Sequence, residues 1–338
     1  MSKTLIIAEA GVNHNGKIKF AIELIKAAKK SGADIVKFQI AESEIISKKS
    51  PKAKYQIINS KINETQHSMV KKLELDWTSA HKKIIKQCKI SKIKFLTSPF
   101  SIKGLKILEK LKLDTIKIPS GEITNLPYLE YAGKLKKKIF LSTGMSNIRE
   151  IKKAVKILCK SGTKKKNITI LQCNTAYPTP YKDANLNSLA TLKKIFKTNI
   201  GYSDHTPGIE ASLTATALGA VVIEKHLTLN NKMRGPDHKA SINPKEFKKM
   251  TDSIRIVEKT LGSYKKNITS SEKQNIKIVR KSIVAKKNIS KGEVFSEKNL
   301  SIKRPGTGLS PFFWYKTIGR KSKKKYKSDD LLKKIEIY

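Results

Sequence analysis

The stretch IGYSDHTPGIEASLTATALGAVVIEKH, residues 200–226, contains two short apolar runs, at 200–203 and 221–225, on either side of a longer segment. Short apolar runs bounded by turn residues are typical of buried strands. Strands that alternate with helical segments build parallel sheets. This stretch therefore predicts one strand–helix–strand unit.

Six further apolar runs repeat the pattern over the first 262 residues. We predict strands at residues 5–8, 34–38, 94–97, 115–118, 139–142 and 168–172. Segments with helical spacing follow them, as at residues 18–30, where the apolar side chains share one face. Eight such units in about 260 residues match the size of a (β/α)8 TIM barrel. We therefore predict an α/β fold in which residues 1–262 form a TIM-barrel catalytic domain.

The predicted strands end in polar residues. Along the chain these are Glu9, Lys37, Gln39, Thr97, Ser98, Lys117, Ser120, Ser142, Thr143, Asn174, Thr175, Ser203, His205, Glu224 and His226. Barrel enzymes assemble their active sites from the carboxyl ends of several strands. Burying so many polar groups at one mouth is costly unless they meet a charged ligand or a metal ion. The pattern therefore predicts an active site there.

Two histidines, His205 and His226, follow consecutive strands, so both imidazoles can reach one metal ion. Two protein ligands leave coordination positions for water or substrate, which suits a catalytic ion. Carboxylates that can add ligands, orient an imidazole or act as acid and base are Glu9, Asp204, Glu224 and Asp237. Two hydrogen-bonded core histidines are the alternative.

Cations and hydroxyls follow strands two to five: Lys37, Lys117, Thr97, Ser120 and Ser142. Ammonium and hydroxyl groups together suit a phosphate or a phosphorylated carboxylate. A Schiff-base lysine at a strand end is the competing interpretation. From these residues we predict a metal-assisted barrel enzyme that acts on a small anionic substrate, with the reaction left open.

The chain has 338 residues, of which 71 are Lys or Arg and 27 are Asp or Glu, giving a formal net charge of +44. Only six of the basic residues are Arg, although bidentate recognition of phosphate and guanine favours Arg. Scattered lysines favour a compositional bias over a nucleic-acid partner. A basic nucleic-acid-binding protein on a decayed barrel is the alternative from another functional class.

The sequence gives little indication of a membrane-spanning segment, a signal peptide or a disulfide framework. Its apolar runs fall far short of the roughly 20 residues that cross a bilayer, and Glu9 interrupts the apolar N-terminal segment. The three cysteines have no CxxC spacing, which disfavours a disulfide framework and a structural zinc site. We expect a cytoplasmic protein without a membrane partner.

Two segments interrupt the strand–helix pattern. Residues 41–75 have weak periodicity, which is typical of a lid or of a surface loop. Residues 263–278 are polar, and we predict a linker there. Residues 279–338, with apolar segments broken by Gly and Pro, predict a small compact domain with little regular structure.

Short motifs spread over nearly the whole chain, and in the same order, resemble those of the sialic acid synthase family. They are IAEAGVNHNG (7–16), VKFQ (36–39), MVKKLEL (69–75), FLTSPF (95–100), IKIPSGE (116–122), FLSTGM (140–145), LQCNTAYPTPY (171–181), GYSDHTPG (201–208), IEKHLTL (223–229), GPDHKAS (235–241) and KRPGTG (303–308). The resemblance implies a condensation of phosphoenolpyruvate with an N-acetylated mannosamine sugar, giving a nine-carbon 2-keto acid and phosphate. The alternative of a different phosphoenolpyruvate-condensing barrel enzyme is disfavoured because it does not account for the C-terminal segment.

The resemblance also implies roles for individual residues. His205 and His226 would hold manganese or magnesium, and Glu9 and Glu224 would join them as catalytic residues. Phosphoenolpyruvate would be bound by Lys37, Thr97, Lys117, Ser120, Ser142 and Ser203. The sugar would be bound by Gln39, Asn63, Thr175, Tyr177, Asp237 and Arg304. These roles disfavour the Schiff-base lysine.

The segment from residue 279 resembles the antifreeze-like (SAF, β-clip) domain that ends these synthases. In the family this domain crosses to the barrel of the other subunit, so the resemblance implies a homodimer in which Arg304 contacts the sugar of the partner's site. Arg304 as a surface turn residue is the alternative.

The resemblance implies an N-acetylated amino sugar as acceptor and leaves two sugars as candidates. We expect N-acetylmannosamine, and hence an N-acetylneuraminate synthase. The alternative is an N,N'-diacetyllegionaminate synthase, which uses 2,4-diacetamido-2,4,6-trideoxymannose. Thr175 replaces the Asn of some sialic acid synthases, and a few side chains near the sugar decide between such substrates.

Overall fold

Eight parallel strands form one sheet in the computed structural model, which describes residues 3–40, 42–60 and 63–333. The strands are β1 (Leu5–Gly11), β2 (Ile35–Ile40), β3 (Lys94–Pro99), β4 (Thr115–Ile118), β5 (Lys138–Ser142), β6 (Ile168–Cys173), β7 (Asn199–Asp204) and β8 (Val222–His226). Their order is β3-β2-β1-β8-β7-β6-β5-β4, and β3 and β4 lie side by side at the remaining gap. The predicted (β/α)8 barrel is confirmed.

Helices connect the strands. They are α1 (Ile18–Lys30), α2 (Lys54–Ser60), α3 (Gln66–Leu73), α4 (Trp77–Ile90), α5 (Ile102–Lys110), α6 (Leu126–Lys134), α7 (Ile148–Lys160), α8 (Ser188–Phe196), α9 (Glu210–Ala217) and α10 (Pro244–Leu261). Capping boxes begin α7, at Asn147 and Glu150, and α10, at Asn243 and Glu246. None of the described helices is both long and apolar enough to span a bilayer.

Two layers of apolar side chains use the alternation of the strands. The larger layer packs the strands against the helices and includes Val36, Phe38 and Ile254. The smaller cluster fills the barrel interior and takes one residue from each of six strands: Ile7, Ile35, Leu96, Phe140, Leu171 and Val222. Residues two positions further along these strands point to the same interior, at the carboxyl end of the barrel.

A second compact unit begins at Ser263. It contains α11 (Lys273–Val279), α12 (Trp314–Thr317) and the antiparallel pair β9 (Ser282–Ala285) and β10 (Leu300–Lys303). Its core is Ile283, Ala285, Ile289, Phe295, Leu300, Leu309, Tyr326 and Leu332. The segment 263–278, which we predict as a linker, clusters with this unit and contains most of α11.

Candidate active site at the carboxyl end of the barrel

Two lysines and two glutamates form a buried array at the carboxyl end of the barrel. Lys37 Nζ lies 2.6 Å from Glu9 Oε2 and 3.8 Å from Glu224 Oε2. Lys117 Nζ donates a hydrogen bond of 2.8 Å to Glu224 Oε1, and Ser203 Oγ donates one of 2.9 Å to the same oxygen. All five residues are buried, so the interior of the barrel holds charged groups that are compensated within the array.

The two carboxylates of the array differ in their electrostatics. Burial raises the pKa of Glu9, and the opposing effect of Lys37 does not cancel it. Burial also disfavours the charged form of Glu224, but Lys117 and Lys37 outweigh burial and hold its pKa well below the usual value. Glu224 is therefore an ionised carboxylate, whereas Glu9 accepts a proton more readily.

Lys37 is held in its charged form. Burial disfavours the ammonium, but Glu224 and Glu9 outweigh it and raise the pKa of Lys37. A Schiff-base lysine needs the opposite, a pKa lowered towards neutrality so that the free amine can attack. The array therefore favours an electrostatic role for Lys37 over a covalent one.

His205 and His226 lie next to each other, as their strand ends predict. Their ring centroids are 5.2 Å apart, and both side chains are buried. His205 Nδ1 lies 2.5 Å from the carbonyl oxygen of Asn174. Because a carbonyl only accepts, Nδ1 must carry the proton, which leaves the lone pair on Nε2. Burial lowers the pKa of His205 to about 4 and that of His226 well below its usual value.

These histidines have the properties of metal ligands. Neutral imidazoles bind metals, and the carbonyl bonded to Nδ1 orients the His205 ring as such partners commonly do. His226 Nδ1 is buried without a hydrogen-bond partner, 3.8 Å from Asp237 Oδ2. No group of three or more His, Cys, Asp or Glu within the described residues is arranged around a metal position. The oriented, neutral His205 ring and the unpartnered His226 Nδ1 fit an ion bound by two imidazoles.

Tyr177 and Asp237, both predicted near the sugar, lie beside the histidines. The Tyr177 ring lies 4.1 Å from the His205 ring and 4.8 Å from that of Tyr55. Burial and Glu9 raise the pKa of Asp237 to about 7, against the opposing effect of Lys37. Gln39 donates a hydrogen bond of 3.0 Å to Glu9 Oε1. These residues extend the site from the array towards the mouth of the barrel.

Three of the predicted hydroxyl groups, those of Ser142, Ser120 and Thr175, differ in their surroundings. Ser142 Oγ is buried without a hydrogen-bond partner. Ser120 Oγ accepts a bond of 3.0 Å from the Gly144 N–H and lies 3.1 Å from Cys173 Sγ. A side chain at Gly144 would come within 3 Å of Thr175 and Ser120. Thr175 therefore lies next to Ser120 and Gly144.

Thr97 is not brought to the lysines. Its hydroxyl donates a bond of 3.1 Å to the Phe38 carbonyl. Leu96 belongs to the barrel interior, so alternation turns Thr97 to the helix side and Ser98 inward. Lys37 Nζ donates a bond of 3.0 Å to Ser98 Oγ. Ser98 thus takes the place that we expected for Thr97.

Three other predicted residues, Asn63, Arg304 and Asp204, have surroundings of their own. Asn63 is exposed and directly follows the two undescribed residues 61–62. Arg304 lies in the second unit, where it is exposed and its Nε donates a bond of 3.1 Å to the Val279 carbonyl. Asp204, a candidate ligand in the sequence, instead forms an ion pair of 2.9 Å with Lys225 on the helix side of the sheet.

Two matches along the chain identify its family. Residues 24–266 match the model of the NeuB family, and residues 280–334 match that of the SAF domain. The chain belongs to the NeuB family. The resemblance to sialic acid synthases and the C-terminal SAF domain are therefore confirmed.

Named relatives of the family cover almost all of this chain. The N,N'-diacetyllegionaminic acid synthase of Campylobacter jejuni is 52% identical over 98% of the chain and 100% of that protein. The enzyme of the same name from Legionella pneumophila is 40% identical over 90% of the chain and 86% of that protein. The crystal structure of the N-acetylneuraminic acid synthetase of Leptospira borgpetersenii is 32% identical, with a TM-score of 0.72, over 81% of this chain and 90% of that chain. This NeuB family member is a transferase-type enzyme of the nonulosonate synthase class.

Proposed function

We propose that this enzyme condenses phosphoenolpyruvate with 2,4-diacetamido-2,4,6-trideoxymannose and is an N,N'-diacetyllegionaminate synthase. The observation that carries the reaction is the buried array of Lys37, Lys117, Glu9 and Glu224 beside two neutral histidines. The higher identity to legionaminic acid synthases than to a sialic acid synthetase supports this acceptor over N-acetylmannosamine, which the sequence motifs favoured. The reaction takes place in the cytoplasm, where phosphoenolpyruvate is made.

Phosphoenolpyruvate binds between the two lysines. Its phosphoryl group carries up to about −2 and its carboxylate adds a further negative charge. Lys37 and Lys117 are compensated by the two glutamates, so substrate binding requires more positive charge or fewer ionised carboxylates. The raised pKa of Glu9 favours its neutral form and so reduces the number of ionised carboxylates. A bound divalent ion would add positive charge. Ser142 Oγ, Ser120 and Ser98 offer hydrogen bonds to the substrate oxygens.

His205 and His226 would hold the divalent ion, manganese or magnesium. When bound, this ion supplies Lewis-acid polarisation of the sugar aldehyde. The Tyr177 ring packs against the His205 ring at 4.1 Å, tilted by 31°. Gln39, Asn63, Thr175 and Asp237 are the remaining sugar-binding candidates of the barrel.

The carbon–carbon bond forms between the methylene carbon of phosphoenolpyruvate and the aldehyde carbon of the sugar. The aldehyde oxygen takes a proton from Glu9 or Asp237, the two carboxyl groups whose pKa is raised. Ionised Glu224 stabilises the positive charge that develops at the second carbon and accepts a proton from the water that adds there. Loss of phosphate then leaves the 2-keto acid.

The reaction is tested by phosphate release from phosphoenolpyruvate in the presence of manganese and either acceptor. We expect kcat/KM to be higher with the diacetamido sugar than with N-acetylmannosamine. A higher kcat/KM with N-acetylmannosamine would support the N-acetylneuraminate synthase instead. No phosphate release with either sugar, in protein that binds manganese and phosphoenolpyruvate, would contradict the proposed reaction.

The active unit is a homodimer in which each SAF domain completes the partner's site. The match of residues 280–334 to the SAF domain supports this assembly, because the resemblance implies domain exchange. Arg304 then reaches the sugar of the other subunit.

A further inference from the structure

A cavity of about 470 Å³ lies at the mouth of the barrel beside the sugar-binding candidates Tyr177, Gln39 and Asp237. Its volume is that of a small-molecule site. Much of its lining consists of side chains to which the condensation chemistry gives no role.

Part of the lining of this cavity is apolar. We call the side chains of Val12, Ile46, Met69, Leu73 and Phe100 the apolar wall. Val12, Met69 and Leu73 pack together as a buried cluster of their own. The wall joins the end of the barrel to the segment 42–75, so it is built from residues far apart in sequence.

The described parts of segment 42–75, residues 42–60 and 63–75, are held by contacts within the segment and with distant residues. The Ser43 N–H donates to the Glu74 carboxylate, which closes the segment on itself. Asn59 Nδ2 donates a buried bond of 2.7 Å to the Pro236 carbonyl. Tyr55 stacks on Tyr177. The apolar wall is therefore preorganised beside the site.

Polar side chains line other parts of the same cavity. Gln56, Gln66 and Glu122 are among them. A ligand that suits both parts carries amide or hydroxyl groups together with methyl groups. Acetamido groups have this combination, and a 6-deoxy sugar adds another methyl group.

We propose that the apolar wall binds the methyl groups by which a 6-deoxy, diacetamido acceptor differs from N-acetylmannosamine, and that it thereby sets acceptor specificity. This inference rests on the proposed function. A hydroxyl group placed against such a wall loses its hydrogen bonds to water, whereas a methyl group gains apolar contact. Single-group discrimination of this kind is about 10–200-fold in kcat/KM.

The test compares isosteric polar and apolar substitutions in the wall. Met69→Gln introduces an amide of similar length, and Met69→Leu is the apolar control. Val12→Thr repeats the change from a different element and with a smaller side chain. For each variant, kcat/KM is measured with both acceptors at saturating phosphoenolpyruvate and manganese, and binding of each sugar is measured by calorimetry.

We expect Met69→Gln to lower the ratio of kcat/KM, diacetamido sugar over N-acetylmannosamine, by about 10-fold or more. Met69→Leu should leave that ratio within about 3-fold, and the KM for phosphoenolpyruvate should stay unchanged in both variants. An unchanged ratio in Val12→Thr and in folded Met69→Gln overturns the proposal. So does an equal loss with both sugars. If Met69→Gln does not fold, the ratio in Val12→Thr decides.

The two proposals fail in different ways. If the wild-type enzyme prefers N-acetylmannosamine, the proposed acceptor is wrong, and the shift of the ratio in the variants still decides the role of the wall. If neither sugar is condensed, the calorimetric ratio decides it. If neither sugar binds to folded, metal-loaded enzyme, the wall proposal falls as well.

Discussion

Glu224 is the residue on which the array converges. It accepts hydrogen bonds from Lys117 and Ser203 and lies 3.8 Å from Lys37. The two lysines stabilise its charge despite its burial, so a neutral isostere removes the negative charge held between them. Burial is the largest single influence on both carboxyl groups, but at Glu9 the neighbouring lysines do not outweigh it, so the pKa of Glu9 is raised. The pKa values of two glutamates in the same array are thus shifted in opposite directions, that of Glu9 upward and that of Glu224 downward.

We expect Glu224→Gln to lower kcat by about 10²–10⁴-fold, the usual contribution of a positioned acid or base. The amide keeps the shape but neither accepts a proton nor balances Lys37 and Lys117. Steady-state phosphate release measures the effect. Glu210→Gln, on an exposed helix position outside the array, is the matched control. Near wild-type turnover in Glu224→Gln would remove Glu224 from the chemistry.

Asp204 and Lys225 form a second buried ion pair, on the helix side of β7 and β8. Asp204 also accepts bonds from Thr206 and Ser212, and Lys225 donates to the Thr206 carbonyl. Both residues immediately precede the two histidines in sequence. The pair therefore fixes the strand ends that carry His205 and His226.

Lys225→Met should destabilise the fold by about 3–5 kcal/mol, because it leaves the Asp204 carboxylate buried without its cation. Urea unfolding of the metal-free protein gives this value. Lys248→Met, which breaks the exposed pair with Asp252, is the control and should cost less than about 1 kcal/mol. The double variant Asp204→Leu, Lys225→Met should recover much of the loss. A loss no larger than the control would mean that the pair contributes little.

At the scale of elements, the eight barrel strands are predictable because each is an apolar run that ends in polar residues. The polar residues continue the strands: β7 extends to Asp204 and β8 to His226. What the runs leave open is the direction of each side chain. Alternation within β3 turns Ser98 inward and Thr97 outward, and the same rule separates Asp204 from Ser203 and His205.

The segment between β2 and β3 was only partly predictable. Its helices α2 and α3 have seven and eight residues, too few for a clear period and too short for stability alone. Contacts with distant residues, such as Asn59 with Pro236, hold them in place. Local sequence does not specify contacts between distant residues, so it predicts neither the position of Tyr55 nor the apolar wall.

The loop after β1 is joined to the loop after β8 by buried polar contacts. Asn13 Nδ2 donates to the Leu227 carbonyl at 2.9 Å and to Ser241 Oγ at 2.8 Å. His238 Nε2 lies 3.1 Å from Asn15 Oδ1. Burial lowers the pKa of both His14 and His238 to about 4. Both imidazoles are therefore neutral in the folded protein at neutral pH.

This burial predicts acid sensitivity. The folded pKa lies below the usual value of 6.5, so the unfolded chain binds protons first as the pH falls. The stabilising contribution is complete above about pH 6.5 and is lost between there and about pH 4. Urea midpoints measured across this window should fall, and the fall should be shallower in His14→Gln. An identical pH profile in that variant would contradict the role of His14.

For the whole molecule, the net charge of +44 has little to do with the site. Lys37 and Lys117 are balanced by Glu9 and Glu224, so the excess belongs to the remaining lysines. Most lysines are exposed, and such groups act over distances of about a Debye length. We therefore expect the charge to affect the encounter with the proposed anionic substrate and not the reaction at the array.

Domain exchange is the prediction that belongs to the assembled molecule. His226→Ala removes a proposed metal ligand from the barrel of one subunit, and Arg304→Ala alters the SAF domain of the other subunit. With exchange, a mixed dimer of the two variants has one site with both groups intact and one site with neither. We expect each single-variant dimer to be strongly impaired and the mixed dimer to recover about half of the wild-type activity.

Differently tagged subunits, co-expressed and purified through both tags, give the mixed dimer alone. Without exchange, each of its two sites keeps one damaged group, since the barrel and the SAF domain of a site then come from one chain. Activity no higher than that of Arg304→Ala would therefore contradict the exchange. A dimer of wild-type and His226→Ala subunits is the control, because it retains one intact site in both arrangements and calibrates the half-activity level.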